Sequence, residues 1–194
     1  MFVAVPVPDE VRDHLDEFLA PRRDADEVRW VLADQVHVTL VFLAGVPDRA
    51  VDDLEERLER AAAKRTAFTT RITGGGAFPG VADARVLWAG LDLEDAGAVE
   101  LDRLATGARA AAARSGIDVD GGRFRPHVTL GRFRVPLDAT RWLRLLSTYD
   151  GPAWQVDRIE LVESFLGQGP GGRPRHETRA AFRLADPTSA AGHL

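Results

Sequence analysis

An α+β fold is what this sequence predicts, on three features. Short apolar, β-branched runs recur along the chain, single amphipathic helices interrupt them, and several neighbouring runs are spaced as hairpins. That succession differs from the regular strand–helix alternation of a doubly wound parallel sheet. With 194 residues, 45% hydrophobic and 28% charged, the chain can bury a substantial core as one domain or two closely packed lobes.

In chain order, residues 2–7 form an apolar strand closed by Pro8-Asp9. Asp9 or a neighbour then caps a helix whose Val11, Leu15, Phe18 and Leu19 recur at helical spacing. Residues 28–31 and 36–43 are strands. A helix begins near Asp48 and places Val51, Leu54, Leu58, Ala61 and Ala62 on one face. Strands at 67–73 and 84–91 follow, joined by Gly74-Gly75-Gly76 and Phe78-Pro79-Gly80. The third helix covers 95–115, with Leu101, Leu104, Ala105, Ala108 and Ala112 inward and Gly116 as its stop. The second half repeats the pattern: a strand at 126–133, a short helix near 138–148, and strands at 154–165 and 177–184. A Gly/Pro/Arg-rich loop, 167–175, separates the last two. One domain over 1–186 is expected, with 187–194 as a frayed tail.

Composition narrows the function. The absence of Cys excludes disulfides, a thiolate nucleophile, Cys-ligated zinc and iron–sulfur clusters. A net charge of −5 argues against coating long nucleic acid by bulk electrostatics. Lys64 is the only Lys among 25 basic residues; the rest are Arg, whose forked donors suit phosphate. Neither a signal peptide nor a stretch long enough to span a bilayer is visible, so the expected address is the cytoplasm and no membrane partner is expected. A monomer is the simple expectation.

One tetrapeptide occurs twice: His37-Val38-Thr39-Leu40 and His127-Val128-Thr129-Leu130. Strand side chains alternate, so each run offers a His and a hydroxyl on one face and commits Val and Leu to the core. A lone strand His is more often structural than catalytic, and Thr is a common strand former. An identical repeat at equivalent strand positions is hard to ascribe to β-propensity, and suggests two strands lining one cleft. Two His could also bind metal, but such sites usually add a third His or a carboxylate, which neither run supplies near its His. Neither a metal nor another cofactor is expected.

On these residues the chain resembles the two-histidine (2H) phosphoesterases, and within them the RNA 2′,3′-cyclic phosphodiesterases, formerly described as 2′-5′ RNA ligases. Supporting pieces stand in order over 2–184: Phe2-Val3-Ala4-Val5, Arg29-Trp30-Val31, Phe42-Leu43, Phe78-Pro79 leading to Arg85-Val86-Leu87-Trp88, Phe124-Arg125-Pro126 before His127, Gly131-Arg132 after Leu130, and Ile159 to Ser164. Departures are Ala44 before Gly45, His176 where relatives commonly carry Tyr, and the unusual 167–175 loop; all bear on substrate choice. The resemblance implies a bilobal fold, with two antiparallel sheets lining a central cleft and helices outside.

It also implies a reaction. Opening a 2′,3′-cyclic phosphate needs a base to deprotonate water and an acid to protonate the departing oxygen, and two His can supply both. By resemblance His37 is the proton donor and His127 the proton acceptor, although the two motifs are too alike for spacing to assign the roles. Thr39, Thr129 and Arg132 would bind the phosphate, and Phe42 is a further substrate-binding candidate. RNA 3′ termini or small cyclic nucleotides are the implied partners. A 2′-5′ RNA ligase or 2′-5′ phosphodiesterase using the same site, and a non-catalytic RNA-binding module, remain alternatives. Phe42, Trp30 and Phe124 could stack on a base, though strand aromatics are more often core. Arg173, Arg175 and His176 could hold further RNA phosphates or belong to a solvated loop. Ser164 is read as structural, and His14 and His193 receive no role.

Overall fold

The computed structural model describes residues 1–119 and 121–186. Nine strands and four α-helices follow one another as β1 (Phe2–Pro6), α1 (Asp9–Leu19), β2 (Val28–Trp30), β3 (His37–Phe42), α2 (Asp48–Ala62), β4 (Phe68–Phe78), β5 (Ala84–Asp92), α3 (Asp95–Arg114), β6 (Val128–Leu137), α4 (Thr140–Leu146), β7 (Trp154–Val156), β8 (Arg158–Phe165) and β9 (Arg175–Arg183). The α+β expectation holds, and every strand-to-strand ladder is antiparallel. The tail expected over 187–194 lies outside the described residues. Among those described, no helix is long and apolar enough to cross a membrane.

Strand order is β7-β4-β5-β6-β3-β1-β8-β9, with β2 added alongside β6. The two expected sheets are the two halves of this path. Among the described residues, the strand pairing that joins them sets Val38 on β3 against Val128 on β6. Both valines are buried and lie inside the repeated tetrapeptide, so the motif itself joins the halves. After β9, Thr66 bridges Ala185, which returns the far end of the path to the entry of β4. The core lies against this curled sheet. Helix α2 contributes Val51, Leu54 and Leu58 to it, and α3 contributes Leu101, Leu104, Ala105 and Ala108. The two helices pack on each other, and α3 also touches β3.

Strand β6 runs on to Leu137, beyond the expected 133, and β9 begins at Arg175, inside the expected loop; two further differences have packing reasons. The glycines at 74–76 do not break β4, which runs on to Phe78. Gly74, at φ +57°, is the extra residue where the β4–β5 register shifts. A side chain at Gly76 would overlap the Trp88 ring, and a Cβ at Gly75 would lie 2.5 Å from Leu146 Cδ1. The missing side chains thus seat Trp88 and α4. The single strand expected at 154–165 is two. Strand β7 pairs with β4 in one half, whereas β8 pairs with β1 and β9 in the other, and the chain crosses between halves at Asp157.

Candidate active site

The Val38–Val128 pairing fixes the geometry of the motif. Continuing that antiparallel register sets His37 against Thr129 and Thr39 against His127, all on the face opposite the two buried valines. The two imidazoles are held alike. Nδ1 of His37 donates to the Gln35 carbonyl at 2.7 Å, and Nδ1 of His127 to the Arg125 carbonyl at 2.7 Å. A carbonyl only accepts, so Nδ1 carries the hydrogen in both rings and Nε2 is the nitrogen left for other chemistry.

Both strands also bulge at the same point of the motif. Strand β3 pairs Val41 with Val3 but Thr39 with Ala4, leaving Leu40 as the extra residue. Strand β6 pairs Gly131 with Leu87 but Thr129 with Trp88, leaving Leu130. Each extra residue reverses the alternation beyond it. Phe42 and Arg132 stand five positions after their histidines, where unbroken alternation turns them away. The bulges return both to the open face.

A cleft of about 730 Å³ lies over this face, lined by His37, Thr39, Phe42, Thr129, Arg132 and His176 among others. His127 is not among its lining residues; it follows the same face of the chain, edge-on to Phe78 at 5.0 Å and 6.0 Å from Trp88. His37 instead stacks on Phe2 at 4.6 Å, with the His176 ring 5.7 Å away. A separate hollow of about 490 Å³, lined by Arg22, Glu27, Arg141 and Trp142 among others, contains no member of the motif.

Burial lowers the proton affinity of all three imidazoles. It pushes His37 down to about 4, against the Gln35 hydrogen bond that favours the imidazolium, and the charges of His176 and His127 push the same way as burial. His127 is lowered by burial, opposed by its bond to the Arg125 carbonyl. His176 is lowered by burial and partly held up by Asp34.

The model of the 2′-5′ RNA ligase superfamily matches residues 7–166. The chain belongs to that superfamily. It is 30% identical, over 94% of its length, to the RNA 2′,3′-cyclic phosphodiesterase of Geobacillus stearothermophilus, of which the match spans only 56%. It is 31% identical to the RNA 2′,3′-cyclic phosphodiesterase of Thermus thermophilus over 86% of this chain and 82% of that protein. The crystal structure of E. coli LigT complexed with 3′-AMP superposes with a TM-score of 0.74 at 27% identity, covering 95% of this chain and 97% of that one. The superfamily resemblance read from the repeated motif therefore holds.

Trp30 is buried, 5.3 Å from Trp142, and Phe124 packs half-buried on the core. The core expectation fails for Phe42, which is 65% exposed because the Leu40 bulge turns it outward. Arg175 is committed to the Phe165 ring and to Glu177, whereas Arg173 lines the cleft. Ser164 pairs with His176 across β8–β9 and also lines the cleft. His14 bonds the Tyr149 hydroxyl at 3.1 Å, and His193 lies outside the described residues.

Sequence reasoning passed over Gln35 and Arg29. The Gln35 carbonyl holds His37, while its side-chain amide donates to the Pro174 carbonyl at 2.7 Å and ties the glycine-rich loop to the site. Any residue could lend that carbonyl, so residue type carries no signal for it. Arg29 had one: it is the lone polar member of Val28-Arg29-Trp30, and it lines the cleft.

Proposed function

We propose that the chain is an RNA 2′,3′-cyclic phosphodiesterase that hydrolyses cyclic phosphate ends to 2′-phosphomonoesters without metal, by acid–base work of two histidines. The observation that carries the reading is the duplicated His–Thr face with both Nδ1 atoms tied back, which frees two Nε2 atoms for one ligand. His127 Nε2 takes a proton from water as the water oxygen bonds to phosphorus. The bond from phosphorus to the ribose 3′-oxygen breaks, and His37 Nε2 gives its proton to that oxygen. Thr39 and Thr129 hydroxyls and the Arg132 guanidinium donate to the non-bridging oxygens, where charge accumulates. Phe42 offers a flat face to the base.

Protonation follows from burial. His37 is neutral in the free protein near pH 7 and takes up its proton with substrate, because the arriving phosphate anion offsets the burial that disfavours imidazolium. The enzyme acts as a monomer in the cytoplasm, with residues 1–186 working as one unit. Ligation would be the same step run with an RNA 5′-hydroxyl, a reading favoured by the name of the matched superfamily. Incubation with 2′,3′-cyclic AMP and a cyclic-phosphate-ended oligonucleotide, with and without EDTA, tests the proposal. It predicts a 2′-monoester at an EDTA-insensitive rate. A 3′-monoester, or activity abolished by EDTA, overturns it; a joined product on adding 5′-hydroxyl RNA favours the ligase.

A further inference from the structure

Arg29 is a cleft residue that this mechanism does not use. It is the middle of β2, and the β2–β6 register sets it directly opposite Arg132. Opposed residues of an antiparallel pair share a face. The burial agrees: Val28, Trp30 and Phe133 are buried, while Arg29 and Arg132 are exposed and line the cleft. Gly131 permits this close approach, since a Cβ there would lie 2.6 Å from Val28 Cγ1 and 3.1 Å from the Arg29 carbonyl oxygen.

Like charges set directly opposite one another cost a sheet stability. Among the described residues neither Arg29 nor Arg132 forms an ion pair, and no Asp or Glu lines the cleft, in a chain with 30 acidic residues against 25 basic. Arg29 and Arg132, side by side in a cleft whose lining also includes Arg173 and no acid, are arranged for anions. A cyclic phosphate diester carries one negative charge and is already met by Arg132. The second guanidinium calls for a second anionic group.

We propose that Arg29 binds the phosphodiester immediately 5′ to the terminal nucleotide, while Arg132 holds the terminal cyclic phosphate. The substrate class is thereby an oligonucleotide end rather than a free cyclic mononucleotide. This inference rests on reading the cleft as a phosphodiesterase site.

The test compares the parent with Arg29→Gln and Arg29→Lys on two substrates: 2′,3′-cyclic AMP, and a diadenosine dinucleotide ending in a 2′,3′-cyclic phosphate. The readout is the ratio of kcat/KM for the dinucleotide to that for the mononucleotide. The parent should favour the dinucleotide, and Arg29→Gln should cut the ratio about tenfold, through KM, by removing one charge-assisted contact. The salt dependence of dinucleotide binding should fall by about 0.7 in log–log slope. Arg29→Lys should restore part of the ratio. The melting midpoint of Arg29→Gln should be no lower than the parent's, since a like-charge opposition is removed. Equal losses on both substrates would mean that Arg29 serves the reacting phosphate or its dianionic product, and an unchanged ratio would leave it a solvated side chain; either overturns the inference. A midpoint well below the parent's would assign Arg29 to the fold and overturn it too. A parent inactive on both substrates would instead sink the phosphodiesterase reading and the inference with it.

Discussion

Strands β3 and β6 carry the same tetrapeptide, the same hydrogen bond from Nδ1 to the carbonyl two residues back, and a bulge at the same Leu. What surrounds them differs. His37 lies against Phe2 with a third imidazole beside it, and its proton affinity falls to about 4. His127 sits edge-on to Phe78 in the other half of the sheet, without that neighbour. Beyond the equivalent bulges, β3 presents Phe42 where β6 presents Arg132. One backbone device used twice has been given two chemistries, with an aromatic pole, Phe42, past one bulge and a cationic pole, Arg132, past the other. The lesson is that the backbone sets where these groups point, and their neighbours set what they do.

The contrast can be broken at its poles. Arg132→Gln should cost about 10²–10³ in kcat, as expected for loss of a donor to a developing oxyanion. Phe42→Ala should act mainly on KM, about tenfold, through lost stacking on a base. Steady-state kinetics on a cyclic-phosphate oligonucleotide checks both, and equal effects on kcat would dissolve the distinction.

Proton affinity sharpens the same comparison. Burial lowers both imidazoles, so the kcat/KM–pH profile should be a bell with both limbs below the ordinary histidine value of about 6.5 and its acid limb near 4. The limbs of kcat should sit higher, because a bound phosphate anion favours both imidazoliums. Coincident limbs for the free enzyme would make the two histidines equivalent.

A smaller effect falls on stability. His37 binds its proton less readily folded than unfolded, so between pH 6.5 and 4 the unfolded chain holds more protons. The stabilisation is complete above the unfolded value and is lost as pH falls toward 4, up to about 3 kcal/mol. Urea midpoints at pH 7 and 4.5 should therefore converge in His37→Gln relative to the parent. Parallel falls in the two proteins would count against His37 as the source.

Much of this was legible in the chain. The helices at Asp9, Asp48 and Asp95 followed from apolar periodicity, and the repeated tetrapeptide marked both strands of the site. Alternation placed His37 and Thr39 together correctly because both precede the bulge. It fails at Phe42 and Arg132, since a register shift depends on the partner strand and leaves no mark on the residues that shift. The glycines of β4 misled for a related reason: they make room for Trp88 and Leu146, side chains distant in sequence, and are indistinguishable from turn glycines until those neighbours are placed. The crossing at Asp157 was hidden because two short strands in different halves read as one apolar run.

The central claim is that two histidines act as one unit on a single phosphate. A double-variant cycle on a cyclic-phosphate oligonucleotide tests it most directly. His37→Ala and His127→Ala should each cost about 10²–10⁴ in turnover, and the double variant should fall little further than the worse single, because partners in one proton relay are not additive. Near-parental turnover in either single variant, or losses that simply multiply in the double, would contradict the account.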